Sequence, residues 1–314
     1  MPSTTRVALA PGTPADYQVY GELCSPAGGG MDRPVQLLLA GGTYNHAYWD
    51  LPYRPDTYSY VRTMNEHGYR TFNIDRIGTG RSSHPPGVRV DVTVNAYVVH
   101  QLVRALRTGA IAGLTGAAHR VVLVGHSLGT ITAMLETATY HDTDGLIATG
   151  IQHKLNPSGL PEFRSVVYPA KLDPRFANRD EAYFTSIPGT RGSALFYNAP
   201  DTDPGVPVAD AKYAEDTTTA GELAQFPLIL FNGTSNRISG PVLDVSGQFD
   251  NIFCGPLGSD CRNSQSLLRQ EKSAYPNAVL ETYVLKDSGH CLNMQRNTQD
   301  WYRVAISWLK RIFP

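Results

Sequence analysis

The sequence has no apolar run of the roughly 20 residues that a membrane-spanning helix requires, and it has no excess of either charge. Its 27 lysines and arginines are balanced by 28 aspartates and glutamates, which gives a formal net charge of −1. The charges are also scattered, whereas nucleic-acid-binding proteins usually carry a clustered basic surplus. We therefore expect a soluble globular protein without a membrane span and without a nucleic-acid partner.

Cysteine is scarce, with only four residues in the chain: Cys24, Cys254, Cys261 and Cys291. None of them has the spacing of a metal site, so no bound metal is predicted. Cys254 and Cys261 enclose the short loop GPLGSD. Two interpretations of this pair stay open: a disulfide, for which the chain-entropy argument gives about 2 to 3 kcal/mol, or a reduced and inert pair.

The first twenty residues lack the apolar stretch of a secretory signal peptide. As it stands, the sequence therefore predicts a cytoplasmic protein. If a leader has been removed, a secreted protein is the alternative.

Strand and helix patterns alternate over residues 1–151, which predicts a mostly parallel sheet with helices on both faces. The alternation stops at residue 152 and resumes near residue 240. The intervening stretch is rich in proline, aspartate and threonine, and a structureless loop of that length is improbable. We therefore predict an α/β fold in which core segments 1–151 and 240–314 carry an inserted cap or lid of short helices at 152–239.

Ser127 lies in VVLVGHSLGTITAML, residues 121–135, where a buried strand pattern meets a helical one. One interpretation is a nucleophile elbow, in which Gly125 and Gly129 leave room for a strained turn that presents the serine hydroxyl. The amide of Leu128 would then lie at a helix N-terminus, where it can stabilise an oxyanion. The other interpretation is an ordinary glycine turn between a strand and a helix.

A serine nucleophile needs a base, and the base needs a carboxylate that orients it. Among nine histidines, His290 is the predicted base, because VLKDSGHCLNM places it on a loop between a strand and the last helix. Asp250 is the predicted acid, because it closes a predicted strand at 241–249 as the chain leaves the sheet. Asp287 and Asp260 are the alternative acids.

Other polar residues are candidates for the lining of the substrate pocket: Thr43, His126, His46, His84 and His153. We expect the side chain of His126, inside the elbow, to point away from the serine.

The segments GHSLG, DRIGTGRSS, GQFD and GHCLN resemble the α/β-hydrolase fold superfamily over nearly all of the chain outside the predicted cap. The stretches LLLAGGTYNHAYWD, NIDRIGTGRSSHP and VLDVSGQFDNIFC are similar to a set of bacterial α/β-hydrolases, many with secretion leaders, whose substrates are mostly unassigned. The resemblance implies the α/β-hydrolase fold and a triad in the chain order Ser127, Asp250, His290. It also implies that Arg76 and Trp49 belong to the scaffold.

The chain departs from the family at the strand that supplies the second oxyanion amide. Family members commonly carry His-Gly there, and this chain has Ala40-Gly41. The resemblance implies that the second donor is the amide of Gly42, or that of Thr43. A backbone donor does not require the histidine side chain, so the oxyanion hole is still expected. The alternative is that Gly41 and Gly42 form only a tight exit from the strand.

Three functions follow from these observations. The leading one is a serine hydrolase that cleaves a carboxylic ester, lactone or thioester through an acyl-enzyme, with no cofactor. The second uses the same triad for acyl transfer, or for elimination of an acyloxy group, in natural-product tailoring. The third, a non-catalytic ligand-binding relative, is disfavoured because all three triad residues are present. The expected partner is a small ester-like molecule; neither its identity nor an oligomeric state is predicted.

Overall fold

The computed structural model describes residues 1–26, 32–193 and 195–314. Eleven strands are formed within these ranges. In chain order they are β1 (Pro2–Val7), β2 (Tyr17–Cys24), β3 (Val35–Leu39), β4 (Arg70–Ile74), β5 (Val121–His126), β6 (Gly145–Thr149), β7 (Val167–Pro169), β8 (Tyr183–Ser186), β9 (Thr218–Thr219), β10 (Gly240–Gly247) and β11 (Ala278–Leu285).

Nine α-helices accompany the strands in the same described ranges. They are α1 (Pro55–Tyr58), α2 (Tyr60–Glu66), α3 (Val92–Arg107), α4 (Leu128–Tyr140), α5 (Leu160–Val166), α6 (Val206–Ala209), α7 (Ala220–Phe231), α8 (Ser264–Glu271) and α9 (Thr298–Ile312). Of the helices in the described part of the chain, none combines the length and the apolarity needed to cross a membrane.

Eight strands form the central sheet, in the spatial order β1-β2-β4-β3-β5-β6-β10-β11. From β4 to β11 all neighbours are parallel, whereas β2 is antiparallel to both β1 and β4. The predicted mostly parallel α/β sheet is confirmed. The two antiparallel strands at its N-terminal edge were not predicted.

Helices cover both faces of this sheet. In β3, Leu37 and Leu39 face a hydrophobic cluster that includes side chains of α3 and α4. Leu38 faces the opposite cluster, which includes side chains of α2 and α9. All five residues of β3 are buried, as expected of a parallel strand with a helical layer on each side.

The helical pattern of residues 57–69 in the sequence predicts one helix, but the chain forms two, α1 and α2, which are separated at Ser59. This residue is extended, with φ −92° and ψ 110°. Its hydroxyl accepts a hydrogen bond from the amide of Arg62, at 2.8 Å, and donates one to Asp50, at 2.6 Å. A side-chain cap of this kind fixes where α2 begins.

Residues 152–239, predicted as a cap of short helices, contain α5, α6 and α7. They also contain an unpredicted three-stranded antiparallel sheet in the order β7-β8-β9. The longest helix of this segment, α7, contacts α3 and α4 of the core. Its first turn is closed by a capping box between Thr219 and Glu222, which explains why this helix begins where it does.

The strand order reverses at β3, because the chain first adds β4 on one side of it and then β5 on the other. In register, Leu39 at the end of β3 pairs with Gly125 of β5. The loops that follow these two strands therefore leave the sheet side by side. Ligands of open α/β sheets bind at such a switch point, outside the carboxyl ends of the strands.

A disulfide joins Cys254 to Cys261, with the two Cα atoms 5.6 Å apart. Of the two interpretations left open by the sequence, the structure favours this one. The other two cysteines, Cys24 and Cys291, are free. The bridged loop begins just after Asp250, whose carbonyl accepts a hydrogen bond from the amide of Cys254, at 2.7 Å. The disulfide therefore braces the segment that follows Asp250.

We predict that replacing both bridged cysteines, in the variant Cys254→Ser/Cys261→Ser, lowers the free energy of unfolding by about 2 to 3 kcal/mol, because the unfolded chain gains the freedom of the opened loop. Urea unfolding of the purified proteins measures the change. Cys24→Ser is the matched control, and its effect should be much smaller. Four alkylatable thiols in the oxidised wild type would show that the bond does not form.

Candidate active site

Ser127 links β5 to α4 in a backbone conformation that side chains rarely adopt, with φ 52° and ψ −119°. The glycines around it are required by close contacts. A Cβ at Gly125 would lie 2.5 Å from the Cα of Thr130, and one at Gly129 would lie 2.2 Å from the carbonyl oxygen of Leu39. This geometry is that of a strained strand-to-helix elbow and not of a relaxed turn.

Leu128 is the first residue of α4. The first amides of a helix have no carbonyl partner inside the helix, and the helix dipole favours negative charge beside them. The Leu128 amide can therefore stabilise negative charge that develops next to the side-chain oxygen of Ser127.

His290 and Asp250 are in direct contact. The distance from Nδ1 of His290 to Oδ2 of Asp250 is 2.7 Å, and both side chains are buried. The second carboxylate oxygen of Asp250 accepts a hydrogen bond from the amide of Ile252, at 3.0 Å. Because Asp250 engages Nδ1, Nε2 is the ring nitrogen that remains for proton transfer. Gly150 leaves room for the ring, since a Cβ there would lie 3.2 Å from Cε1 of His290.

The predicted boundary of the preceding strand needs a correction. The strand expected at 241–249 ends at Gly247, because the chain turns there and the amide of Asp250 donates to the Gly247 carbonyl at 3.2 Å. Asp250 thus lies beyond the sheet on this turn. The two alternative acids have other surroundings. Asp260 pairs with Arg262, which lowers the pKa of Asp260 to about 2. Asp287 lies 3.9 Å from the ammonium of Lys286, and its side chain is more than half exposed.

Ser127, His290, Gly42 and Leu128 line a cavity of about 230 Å³. The rest of its wall is mainly apolar, and much of it comes from the segment between β6 and β10. These apolar residues are Leu155, Val167, Leu195, Phe196, Leu223, Phe226 and Pro227.

Two of the candidate lining residues, Thr43 and His126, border this cavity. The other three candidates are wrong. His46, His84 and His153 are not among the residues that line it, and they are held by Asp75, Arg179 and Glu271, respectively.

His126 is fully buried, and its ring stacks on that of Tyr48, with centroids 4.3 Å apart. Its Nδ1 lies 3.1 Å from the hydroxyl of Thr149, and that hydroxyl donates to the carbonyl of Gly125. Nδ1 is therefore the donor of the pair. Burial lowers the pKa of His126 well below its ordinary value, and the nearby His290 lowers it further. The ring of His126 is therefore uncharged where it lines the cavity.

Arg76, which the resemblance assigned to the scaffold, contacts the loop at the end of β3. Its guanidinium donates to the carbonyls of Ala40 and Gly41, each at 3.1 Å, and it also pairs with Glu222 at the start of α7. All of these groups are buried. The sequence could not indicate the ion pair, because its two partners are 146 positions apart.

Thr43, in the same loop, has a φ of +58°, which is unusual for a β-branched residue. Its carbonyl accepts hydrogen bonds from Arg191 and from the amide of Asp216, the latter at 2.9 Å. Within the described residues, the amides of Gly42 and Thr43 donate to no acceptor of the protein. The carbonyl groups of the loop thus accept hydrogen bonds from buried donors, and two free amides lie beside the cavity.

Arg191 was not among the residues that the sequence indicated.

The comparison with curated proteins finds no match to the chain. Among solved structures, a soluble variant of monoglyceride lipase from Saccharomyces cerevisiae, in complex with a substrate analog, is 17% identical, with a TM-score of 0.64 over 99% of this chain and 95% of that one. An esterase from Exiguobacterium antarcticum is 15% identical, with a TM-score of 0.61 over 94% and 96%. A bromoperoxidase from Bacillus anthracis is 18% identical, with a TM-score of 0.60 over 98% and 100%.

At these identities, the structural likeness shows the fold alone. Residues 36–303, most of the chain, match the model of a family described as the alpha/beta hydrolase family. The resemblance drawn from the sequence is thereby confirmed, and the chain belongs to the alpha/beta hydrolase family of enzymes.

Proposed function

We propose that this enzyme is a serine hydrolase that cleaves a carboxylic ester, lactone or thioester through an acyl-enzyme. The observation that carries the proposal is the 2.7 Å contact between His290 and Asp250, because it orients an imidazole in the same apolar cavity that the strained Ser127 borders. Ser127 is the nucleophile, His290 the general base and Asp250 the residue that orients it.

In the acylation step, Oγ of Ser127 attacks the carbonyl carbon of the substrate, and its proton moves to Nε2 of His290. The amide of Leu128 and that of Gly42 or Thr43 stabilise the oxyanion of the tetrahedral intermediate. His290 then gives the proton to the leaving alcohol or thiol, the C–O or C–S bond breaks, and the acyl group remains on Ser127.

In the deacylation step, His290 takes a proton from water, and the resulting hydroxide attacks the acyl carbon. The second tetrahedral intermediate collapses, Ser127 regains its proton from His290, and the carboxylic acid is released. No metal or organic cofactor is needed for either step. The carboxylate of Asp250 stabilises the imidazolium, and it is held in place by the amide of Ile252 as well as by His290.

The segment 152–239 is the cap in this proposal. Its apolar side chains, among them Leu195, Phe196 and Phe226, face the cavity beside Ser127. Burial of an apolar group there is favourable by about 25 cal/mol per Å² of surface removed from water. The cap therefore binds the apolar part of the substrate, while the reacting carbonyl lies beside Ser127 and His290.

Acyl transfer is the second candidate function, and the apolar wall of the cavity is the observation that favours it. An acyl-enzyme shielded from water can pass its acyl group to a bound alcohol, as a tailoring reaction on a natural product would require. Product analysis in ¹⁸O-labelled water separates the two, since hydrolysis alone places the label in the released acid. Elimination of an acyloxy group would release an unlabelled acid, but it forms no acyl-enzyme.

We predict that Ser127→Ala lowers kcat by about 10³-fold to 10⁶-fold while the protein stays folded, because the nucleophile is lost and alanine is no larger than serine. Hydrolysis of p-nitrophenyl esters measures the loss, and circular dichroism checks the fold. A fluorophosphonate probe should label the wild type and not the variant. If the variant keeps more than about a tenth of the activity on every substrate, the covalent mechanism is wrong and elimination is favoured.

We predict that Asp250→Asn lowers kcat by about 10²-fold to 10⁴-fold, because asparagine favours the wrong tautomer of His290. Asp287→Asn is the matched control. It makes the same chemical change on an exposed residue at a φ of +57°, which asparagine tolerates. The control should keep nearly full activity. An inactive Asp287→Asn beside an active Asp250→Asn would reverse the assignment of the acid.

We predict that the enzyme prefers uncharged acyl groups, because the residues that line the cavity include no lysine, arginine, aspartate or glutamate within the described part of the chain. Values of kcat/KM for p-nitrophenyl hexanoate should exceed those for the p-nitrophenyl monoester of succinic acid by at least about tenfold, the penalty for an unpaired charge in an apolar site. Equal values for the two esters would contradict an apolar acyl site.

A further inference from the structure

The loop at the end of β3 contains a residue in a strained backbone conformation, which contacts from other parts of the protein must hold in place. Thr43 has a φ of +58°, in the left-handed region that a β-branched side chain avoids. Such a residue persists only where its surroundings impose the conformation. The rotation about φ also determines where its amide points, and this amide is one of the two free amides beside the cavity.

Arg191 supplies contacts that impose this conformation. One guanidinium nitrogen donates to the hydroxyl oxygen of Thr43, at 3.2 Å, and another donates to the Thr43 carbonyl oxygen. The amide of Asp216 donates to the same carbonyl, at 2.9 Å. The hydroxyl and the carbonyl of Thr43 are thus both held by one planar, rigid guanidinium. The ammonium group of a lysine cannot reproduce this geometry.

Arg191 is itself fixed in place. It is buried, and its guanidinium lies over the rings of Tyr44 and Phe196, 4.2 and 4.8 Å from their centroids. Its Nε lies 3.8 Å from a carboxylate oxygen of Asp210 and 3.9 Å from one of Glu215. The charge of Arg191 is therefore compensated on the side away from Thr43, and its position is set by the same segment, 152–239, that lines the cavity.

We propose that Arg191 is a positioning residue for the oxyanion hole: by holding the carbonyl and hydroxyl of Thr43, it keeps the amides of Gly42 and Thr43 directed at the reacting carbonyl. The inference rests on the proposed function, in which one of these amides binds the oxyanion.

This role has a kinetic consequence. The amides of the loop interact with the negative charge of the tetrahedral intermediate more strongly than with the neutral ester. When Arg191 is lost, Thr43 is free to move to a negative φ and its amide moves with it. The loss therefore reduces stabilisation of the transition state, and kcat falls, while the apolar contacts that set KM are kept.

The test compares two arginines of the same ion-pair network. Arg191→Lys keeps a cation beside Asp210 and Glu215, so these buried carboxylates are not left without a positive partner. It loses the pair of hydrogen bonds that the guanidinium donates to the hydroxyl and carbonyl oxygens of Thr43. Arg175→Lys is the matched control, because Arg175 binds Glu215, at 2.9 Å, and Asp173, at 2.6 Å, without a hydrogen bond to Thr43. We expect Arg191→Lys to lower kcat by about 10-fold to 100-fold with KM changed less than about threefold, and Arg175→Lys to keep kcat within about twofold.

A double-mutant cycle with Thr43→Gly distinguishes positioning from general loss of structure. Glycine adopts positive φ without strain, so it needs less help from Arg191. Arg191→Lys should therefore lower kcat less than about threefold in the Thr43→Gly background, against the larger loss in the wild-type background. Equal losses in both backgrounds, or equal losses in Arg191→Lys and Arg175→Lys, would overturn the inference and indicate a purely structural arginine.

The two proposals fail in different ways. A wild-type enzyme that is labelled by a fluorophosphonate at Ser127 and hydrolyses a p-nitrophenyl ester supports the proposed function, and the cycle then decides the role of Arg191. A wild type that does neither overturns the proposed function, and the inference about Arg191 is rejected with it.

Discussion

The close approach of α4 to the end of β3 is the contact on which the rest of the site depends. Gly129 lies so near to this strand that a Cβ would be 2.2 Å from the carbonyl oxygen of Leu39 and 2.6 Å from that of Ala40. This approach places the first turn of α4, with Ser127 before it, beside the loop that carries Gly42. The strained φ of Ser127 follows from the same constraint, because the chain must leave β5 and enter α4 within one residue.

Two buried arginines hold the loop that follows β3, on the other side of the site from Ser127. Each of them connects this loop to the segment 152–239. Arg76 joins the carbonyls of Ala40 and Gly41 to Glu222, and Arg191 joins Thr43 to the acidic residues of its own segment. Buried ion pairs contribute little net stability, because desolvation offsets their attraction. Their effect here is geometric: the peptide groups of one short loop are fixed in orientation, and that loop cannot relax independently of the segment that lines the cavity.

The parts of the molecule that could be predicted from sequence are those encoded by neighbouring residues. GHSLG indicates the elbow because Gly125 and Gly129 are needed within two positions of Ser127, and the turns after β10 and β11 indicate Asp250 and His290. The contacts of Arg191 could not be predicted, because Thr43 is 148 positions away and nothing local marks the pair. The small sheet β7-β8-β9 was missed for a similar reason, since its strands of two to four residues carry almost no periodic pattern.

Apart from the hydroxyl of Ser127, the side-chain hydroxyl groups of the residues that border the cavity form hydrogen bonds inside the protein. The hydroxyl of Tyr44 donates to Asp210, at 3.0 Å, that of Thr218 donates to Glu222, at 3.0 Å, and that of Thr43 accepts from Arg191. Each hydroxyl engaged in this way has one hydrogen-bonding position fewer to offer a polar substituent on a ligand. In the proposed mechanism, polar recognition therefore centres on the reacting carbonyl, and selection among esters depends mainly on the shape of the apolar wall. In that mechanism, the apolar wall and the contacts of Arg191 with Thr43 come from the same segment, 152–239, so a change in this segment that alters which acyl group fits is expected to alter the rate of the chemical step as well.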